Sequence, residues 1–499
     1  MAAPEVDTAL GRIRGGRTPE GIEVFKGIRY AEPPSGAYRW QPPRPVRPWA
    51  ETLDALEFGP GCPQHPYVVS RNAPRAPMDE DCLRLNIWRP DGCTGQHRLP
   101  VMVWLHGGGF ISGTSSPARY DGSAFARSGI ILVSIDYRVG RLGFFAHPAL
   151  EDDPLRGNYG LMDQIEALRW IGGNIGFFGG DAANITLFGE SAGAMSIISL
   201  LTSRASKGLF HKAIIQSGGG RHNLVPGNDW ASAVARTQAL AQKLGVSTDK
   251  SAASLDALRA VPVERVVEGL HMGNLHERPG YCAPMIDGVL IEDEPQTLFQ
   301  RGAFHRLPLL MGTTSADLGF APPVRTLEDA LAPFQHDRAL YERAHALFSH
   351  LPPAHVAQQL AADTLMAEPA RFVARMVRRY QTPAWLYRFA YVPQALSDGL
   401  SGAPHGGEIE FVFDTLSTLH APMTERDQEV ATLMHGYWTA FARHGQPNGD
   451  GRPHWGCFEP CENNTLHIDE KGASHTAMKS PDPWTARLDL VEACAGDAY

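Results

Sequence analysis

The chain has 499 residues, is 43% hydrophobic and 20% charged, and carries a formal net charge of -9. These are globular proportions, enough for one large core or for two or three ordinary domains. The charges are scattered with no basic block, no apolar run approaches the roughly 18 residues of a membrane span, and the seven cysteines are odd in number and sparse, so a nucleic-acid partner, a membrane span and a disulfide scaffold are all excluded from the reading.

The first seven residues, Met1-Ala-Ala-Pro-Glu-Val-Asp, lack the basic and apolar regions of a secretory signal, and the chain as given reads as cytoplasmic. Two short strands are predicted around glycine turns, Leu10-Gly-Arg-Ile-Arg and Gly21-Ile-Glu-Val-Phe-Lys-Gly-Ile. A proline-rich irregular stretch follows, and Asp81-Cys-Leu-Arg-Leu-Asn-Ile-Trp alternates like a half-buried strand. From residue 100 the pattern changes to continuous apolar runs at 101–105, 130–136, 185–188, 213–216, 307–311 and 385–391, with helical stretches at 160–175, 192–201 and 230–244 between them. Such runs alternating with helices predict an α/β fold with a mostly parallel sheet covered on both faces. Residues 320–380 read as an inserted helical subdomain that roofs the site. A last helix is predicted from Glu429 to His444, ended by Gly445-Gln-Pro-Asn-Gly. The whole chain, 1–499, reads as a single domain with insertions.

Gly189-Glu190-Ser191-Ala192-Gly193 fits the pattern G-x-S-x-G, a serine at a tight strand-to-helix turn flanked by positions with no room for side chains. Five residues are a weak signal in a chain with 51 glycines, so the other parts of a serine nucleophile's machinery must be found. His106-Gly-Gly-Gly-Phe110 follows a buried strand and offers backbone N–H donors for a developing oxyanion, which assigns that role to Gly108, Gly109 and Ala192. Among 20 histidines, His405 stands in a glycine-flanked loop after the strand at 385–391, late in the chain as the order Ser, acid, His requires. The acid then falls between 191 and 405. Asp317, after a strand, is favoured; Asp287, in an Asp-Gly turn, is the rival. Phe110, Glu190, Phe320 and Met285 are candidates for the pocket around the serine, with core packing or a solvated carboxylate as the competing roles. Arg221 is a candidate partner for an acidic substrate group. Cys457 and Cys461 are four apart with no second Cys/His pair, and no metal or cofactor is expected.

Several segments jointly resemble the type-B carboxylesterases, an α/β-hydrolase group: Phe25-Lys-Gly-Ile-Arg-Tyr-Ala-Glu-Pro-Pro, Glu80-Asp-Cys-Leu-Arg-Leu-Asn, His106 to Phe110, Asn158-Tyr-Gly-Leu-Met-Asp-Gln, Gly189 to Gly193 and His405-Gly-Gly-Glu. The resemblance implies the triad Ser191, Asp317 and His405, with Asp317 standing where most members carry glutamate. It implies ion pairs Arg138–Asp163 and Arg39–Glu80, and cysteines 62 and 82 at positions that secreted relatives bridge. Residues 63–81 hold Tyr67 and no tryptophan, which speaks against a choline specialist. The expected activity is hydrolysis of a small-molecule carboxylic ester through an acyl-enzyme, by a monomer or homodimer. Carbamate, amide or lactone cleavage on the same triad, or a catalytically silent binding protein of the same fold, are the alternatives.

Overall fold

The computed structural model describes residues 3–65, 77–273, 281–449, 451–469 and 482–495. A ten-stranded sheet runs, in spatial order, Leu466–Ile468, Ala384–Phe389, Leu309–Thr314, Lys212–Gln216, Gly180–Glu190, Leu99–Leu105, Ile131–Ile135, Arg84–Arg89, Glu23–Arg29 and Gly16–Arg17. The first seven are parallel, and the last three join antiparallel. Every apolar run predicted as a strand from residue 100 onward lies in the parallel part. A separate three-stranded sheet holds Glu5–Thr8, Gly11–Arg14 and Leu53–Asp54.

The runs are continuous because both faces of the sheet are buried. Val101, Val103 and Leu105 point into one core, and Met102 and Trp104 point into the other. The same alternation splits Ile131, Val133 and Ile135 from Leu132, and Ala213 and Ile215 from Ile214. Each fully buried Val, Leu or Ile contributes about 1.5–3 kcal/mol. With two cores to fill, that gain outweighs any local preference and fixes the register.

One core is covered by the helices Tyr159–Asn174 and Ala192–Thr202, the other by Glu425–His444 through Val430, Met434, Trp438 and Phe441. The last helix begins four residues before the predicted Glu429. Thr424 caps it, with Asp427 bonding back to the Thr424 N–H. Residues 320–380 are helical over Leu327–Ala330, Arg338–Phe348, Pro353–Ala362 and Glu368–Arg379. These helices divide between cores. Phe334, Phe348, Val356 and Leu360 form a small third core with Leu490 and Val491 of the helix Thr485–Cys494, whereas Phe372, Val373 and Val377 join the main one.

Strand register brings the chemistry-bearing loops to one edge. Leu105 is level with Gly189, Glu190 with Gln216, and Gln216 with Gly312. The segments 106–110, 191–193, 217–220 and 315–317 therefore leave the sheet side by side, at the carboxyl ends of its strands.

Candidate active site

Ser191 separates the strand Gly180–Glu190 from the helix Ala192–Thr202, with φ 56° and ψ −125°. Such backbone costs about 1–3 kcal/mol and persists only where the surroundings hold it. Here Ser191 N donates to Gln216 O at 2.9 Å. The flanking glycines are required by space. A Cβ on Gly189 would come within 2.8 Å of the Leu105 carbonyl oxygen, and one on Gly193 would overlap that same oxygen.

The loop after Leu105 lies against the serine, since a Cβ on Gly107 would sit 3.0 Å from Ser191 Cβ and 2.7 Å from Glu190 Oε2. Its carbonyls are tied back. Ile111 and Ser112 N–H donate to Gly108 O, and the Tyr281 hydroxyl donates to Gly109 O at 2.7 Å. Among the described residues no hydrogen bond occupies the N–H of Gly108 or Gly109. Both glycines have positive φ, 124° and 61°, and a Cβ on Gly109 would overlap the Tyr281 hydroxyl. Ala192 opens its helix, so its N–H has no carbonyl in the preceding turn and lies at the positive end of the dipole. His106 is buried and stacks on Tyr137 with centroids 4.4 Å apart; burial lowers its pKa to about 4, which keeps it neutral.

The loops that carry the acid and the base are joined by a bridge between Ala316 and Pro404, with Ala316 N donating to Ala403 O at 2.9 Å. His405 Nδ1 donates to Asp317 Oδ1 at 2.5 Å. The other Asp317 oxygen accepts from the Ser217 hydroxyl at 2.6 Å and from Thr314 N at 3.1 Å. Burial alone would raise the Asp317 carboxyl, but His405, the Ser217 hydroxyl and the Leu318 N–H outweigh it and hold the group below the ordinary carboxylate value. Asp287 is elsewhere. It accepts from the N–H groups of Val289, Leu290 and Ile291 and from Asn158 Nδ2, which is a turn-organising role.

His405 Nε2 stands 3.2 Å from Glu190 Oε1. Among the described residues no hydrogen bond joins Ser191 Oγ to His405. Glu190 is no solvated carboxylate; it is 3% exposed and belongs to a buried acidic cluster with Glu408 and Glu410. Arg119 donates to Glu410 Oε2 at 3.0 Å and to Gly406 O at 2.7 Å. Gln216 donates to Glu408 Oε1 at 3.0 Å and accepts from Trp438 Nε1 at 3.0 Å. Burial raises Glu408 to about 7, with Glu190 adding to it, and burial likewise raises Glu190. Burial pulls His405 down, but Glu190 and then Asp317 pull harder and lift it to about 9.

The structure thus brings Ser191, Glu190, Asp317, His405 and the 106–110 loop together. Phe110 has φ 64° and turns its ring into the core, edge-on to Phe144 at 5.3 Å, with 1% exposure. Met285 is also core. Phe320 lines a cavity of about 480 Å³ with Leu224, Leu360, Leu365 and Pro369. Arg221 borders the same cavity but is bound bidentately by Glu368 at 2.6 and 2.7 Å and stacked over Phe372, so its charge is matched within the chain and not held for an acidic substrate group. The ion pairs implied by the resemblance form: Arg138–Asp163 at 2.7 Å and Arg39–Glu80 at 2.6 Å. Cys62 and Cys82 are free, buried thiols. Tyr67 lies outside the described residues. Roles for Ser217, Glu408 and Tyr281 do not follow from the sequence reading; Ser217, one residue beyond the strand Lys212–Gln216, and Glu408, in His405-Gly-Gly-Glu, carry a usable signal.

The model of the carboxylesterase family matches residues 2–351 and 352–484. The fumonisin B1 esterase of Sphingopyxis macrogoltabida is 35% identical, over 92% of this chain and 86% of its own. The para-nitrobenzyl esterase of Bacillus subtilis is 34% identical, over 93% and 95%. A solved para-nitrobenzyl esterase structure superposes with a TM-score of 0.84 at 32% identity, covering 98% of this chain and 99% of that one. With its mostly parallel sheet, its elbow serine and these relatives, the chain belongs to the carboxylesterase family, has the α/β-hydrolase fold and is a carboxylic ester hydrolase.

Proposed function

We propose that Ser191 is the nucleophile, His405 the general base and acid, and Asp317 the group that orients His405, acting on small-molecule esters of a carboxylic acid. The observation that carries this reading is the short His405–Asp317 hydrogen bond beside a serine held at positive φ. In the first step His405 Nε2 takes the Ser191 proton as Oγ attacks the ester carbonyl. The oxyanion is received by the N–H groups of Gly108, Gly109 and Ala192. His405 then protonates the departing alcohol. Water, deprotonated by His405, attacks the acyl-enzyme and releases the acid. Catalytic hydrogen bonds are often loose before substrate arrives, so Nε2 facing Glu190 in the resting enzyme is compatible with this sequence. Glu190 stabilises the imidazolium that forms in both steps.

The cavity lined by Phe320, Leu365 and Pro369 supports an apolar acyl or alcohol part, and the helices of 320–380 supply its roof. The name of the Bacillus relative suggests an arylmethyl ester as a first substrate to try. An odd and sparse set of seven cysteines supports a reducing, cytoplasmic setting. No helix among the described residues is long and apolar enough to cross a membrane.

Hydrolysis of para-nitrophenyl butyrate by the wild-type protein and by Ser191→Ala tests the assignment. The variant should melt like the parent and lose about 10⁴- to 10⁶-fold in kcat. Undiminished turnover would remove Ser191 from the mechanism.

A further inference from the structure

Away from the serine, a cavity of about 250 Å³ opens between the short helix Gly140–Gly143, the two phenylalanines after it, and the helix Trp230–Leu244. Phe144, Phe145, Leu240 and Cys282 make it apolar, yet three cations also line it: Arg141, Arg236 and Lys243. Buried arginines elsewhere in this chain are matched by carboxylates, as Arg138 is by Asp163, Arg39 by Glu80 and Arg221 by Glu368. Arg141 and Arg236 are half-buried and Lys243 is exposed. Arg141 Nη1 donates to the carbonyl oxygens of Val266 and Glu268 at 2.8 and 3.0 Å, and Arg236 donates to the neutral Asn228 Oδ1. Among the described residues no carboxylate forms an ion pair with any of them. Burial lowers the Arg236 pKa, and the nearby Cys282 and Asp229 oppose it only in part, as for a cation short of counter-charge.

The walls are tied together by packing. Phe145 stacks on Trp40 with centroids 3.8 Å apart, the Trp40 indole N–H donates to Arg141 O at 2.8 Å, and Phe144 packs edge-on against Phe110. A preformed pocket avoids the ordering cost that weakens binding to flexible surfaces. An apolar floor beside cations that form no ion pair among the described residues is complementary to one ligand chemistry, an anionic head on an apolar body.

The geometry points to a second binding site at Arg141, Arg236 and Lys243, separate from Ser191, for a free carboxylate with an apolar alkyl or aryl body. Carboxylic acids of this kind are what ester hydrolysis releases, so the site would take the enzyme's own class of product. Binding itself does not depend on which residues catalyse.

The test is equilibrium dialysis of labelled octanoate, below its micelle concentration, against the full chain and two variants. Arg236→Gln/Lys243→Gln removes charge, and Ala239→Trp fills the cavity from the exposed side of its helix. A charge-assisted contact is worth about 1.5–3 kcal/mol, so the charge variant should bind octanoate at least about tenfold more weakly. Ala239→Trp should lose about one molar equivalent of bound ligand, and octan-1-ol should bind the parent and the charge variant alike. Equal octanoate affinity and stoichiometry in all three proteins overturns the site. So does an equal loss of octanol, which would trace the weaker binding to a disturbed cavity and not to a carboxylate contact. So does binding to phosphatidylglycerol vesicles without binding of octanoate, which would assign the cations to a lipid surface. Should the double variant not fold, unchanged octanoate binding by Ala239→Trp overturns it alone.

Discussion

Glu190→Gln tests how the buried charges tune the base. His405 lies between Asp317 at 2.5 Å on Nδ1 and Glu190 at 3.2 Å on Nε2. Burial lowers its pKa, and the two carboxylates, Glu190 first, raise it to about 9. A general base must be neutral, so the sign follows: kcat/KM rises as pH climbs through the raised value and is lost as pH falls below it. An opposite charge within about 4–6 Å shifts a pKa by about 1–3 units. With Asp317 still in place, loss of the Glu190 charge should lower His405 by about one to two units. A base with pKa about 9 is neutral in roughly 1% of molecules at pH 7, and one near 7.5 in roughly a quarter. The acid limb of kcat/KM for para-nitrophenyl butyrate, followed from about pH 5 to 10, should therefore move to lower pH by that one to two units. The plateau should fall at the same time, because each unit withdraws about 1.4 kcal/mol of imidazolium stabilisation from the transition state. An acid limb that stays in place would refute the claim that Glu190 sets the base.

Asp317→Asn should cut kcat by about 10⁴ through the wrong imidazole tautomer, whereas Asp287→Asn should keep turnover and lower the melting temperature, since it weakens three N–H contacts in a turn; single-turnover kinetics and thermal melts on both separate the roles. Gly109→Ala places a Cβ against the Tyr281 hydroxyl at positive φ, and kcat should fall about 10²- to 10³-fold with KM little changed, as for loss of one oxyanion donor. Asp163→Asn strands Arg138, which is 2% exposed, and should destabilise the fold by about 3–5 kcal/mol. Scanning fluorimetry against Asp152→Asn, a change at an exposed carboxylate, provides the control.

Much of the fold is legible in the sequence because two-sided burial leaves an unmistakable pattern. Val101 to Leu105 are apolar at every position, and Ile131 to Ile135 at all but Ser134, only because each face of the sheet has its own core. The elbow is legible because backbone at Gly189 and Gly193 approaches Leu105 too closely for any side chain. The last helix starts before its apolar stripe, because its start signal, Thr424 with Asp427 three residues on, lies outside that stripe. Other features depend on partners distant in the chain. Ser217 meets Asp317 across 100 residues, Gln216 meets Glu408 across 192, and Arg221 meets Glu368 across 147. No local pattern encodes those pairings; strand order does. The same is true of Glu190, whose acidic neighbours Asp317, Glu408 and Glu410 all lie more than a hundred residues away.

The central claim is that Ser191 forms the acyl-enzyme. Its most direct test is peptide mass spectrometry after inactivation by a fluorophosphonate ester. One adduct per chain, on the peptide that contains Ser191, forming in step with the loss of esterase activity and absent from Ser191→Ala, is the predicted result. Full inactivation with the label on any other residue would contradict it.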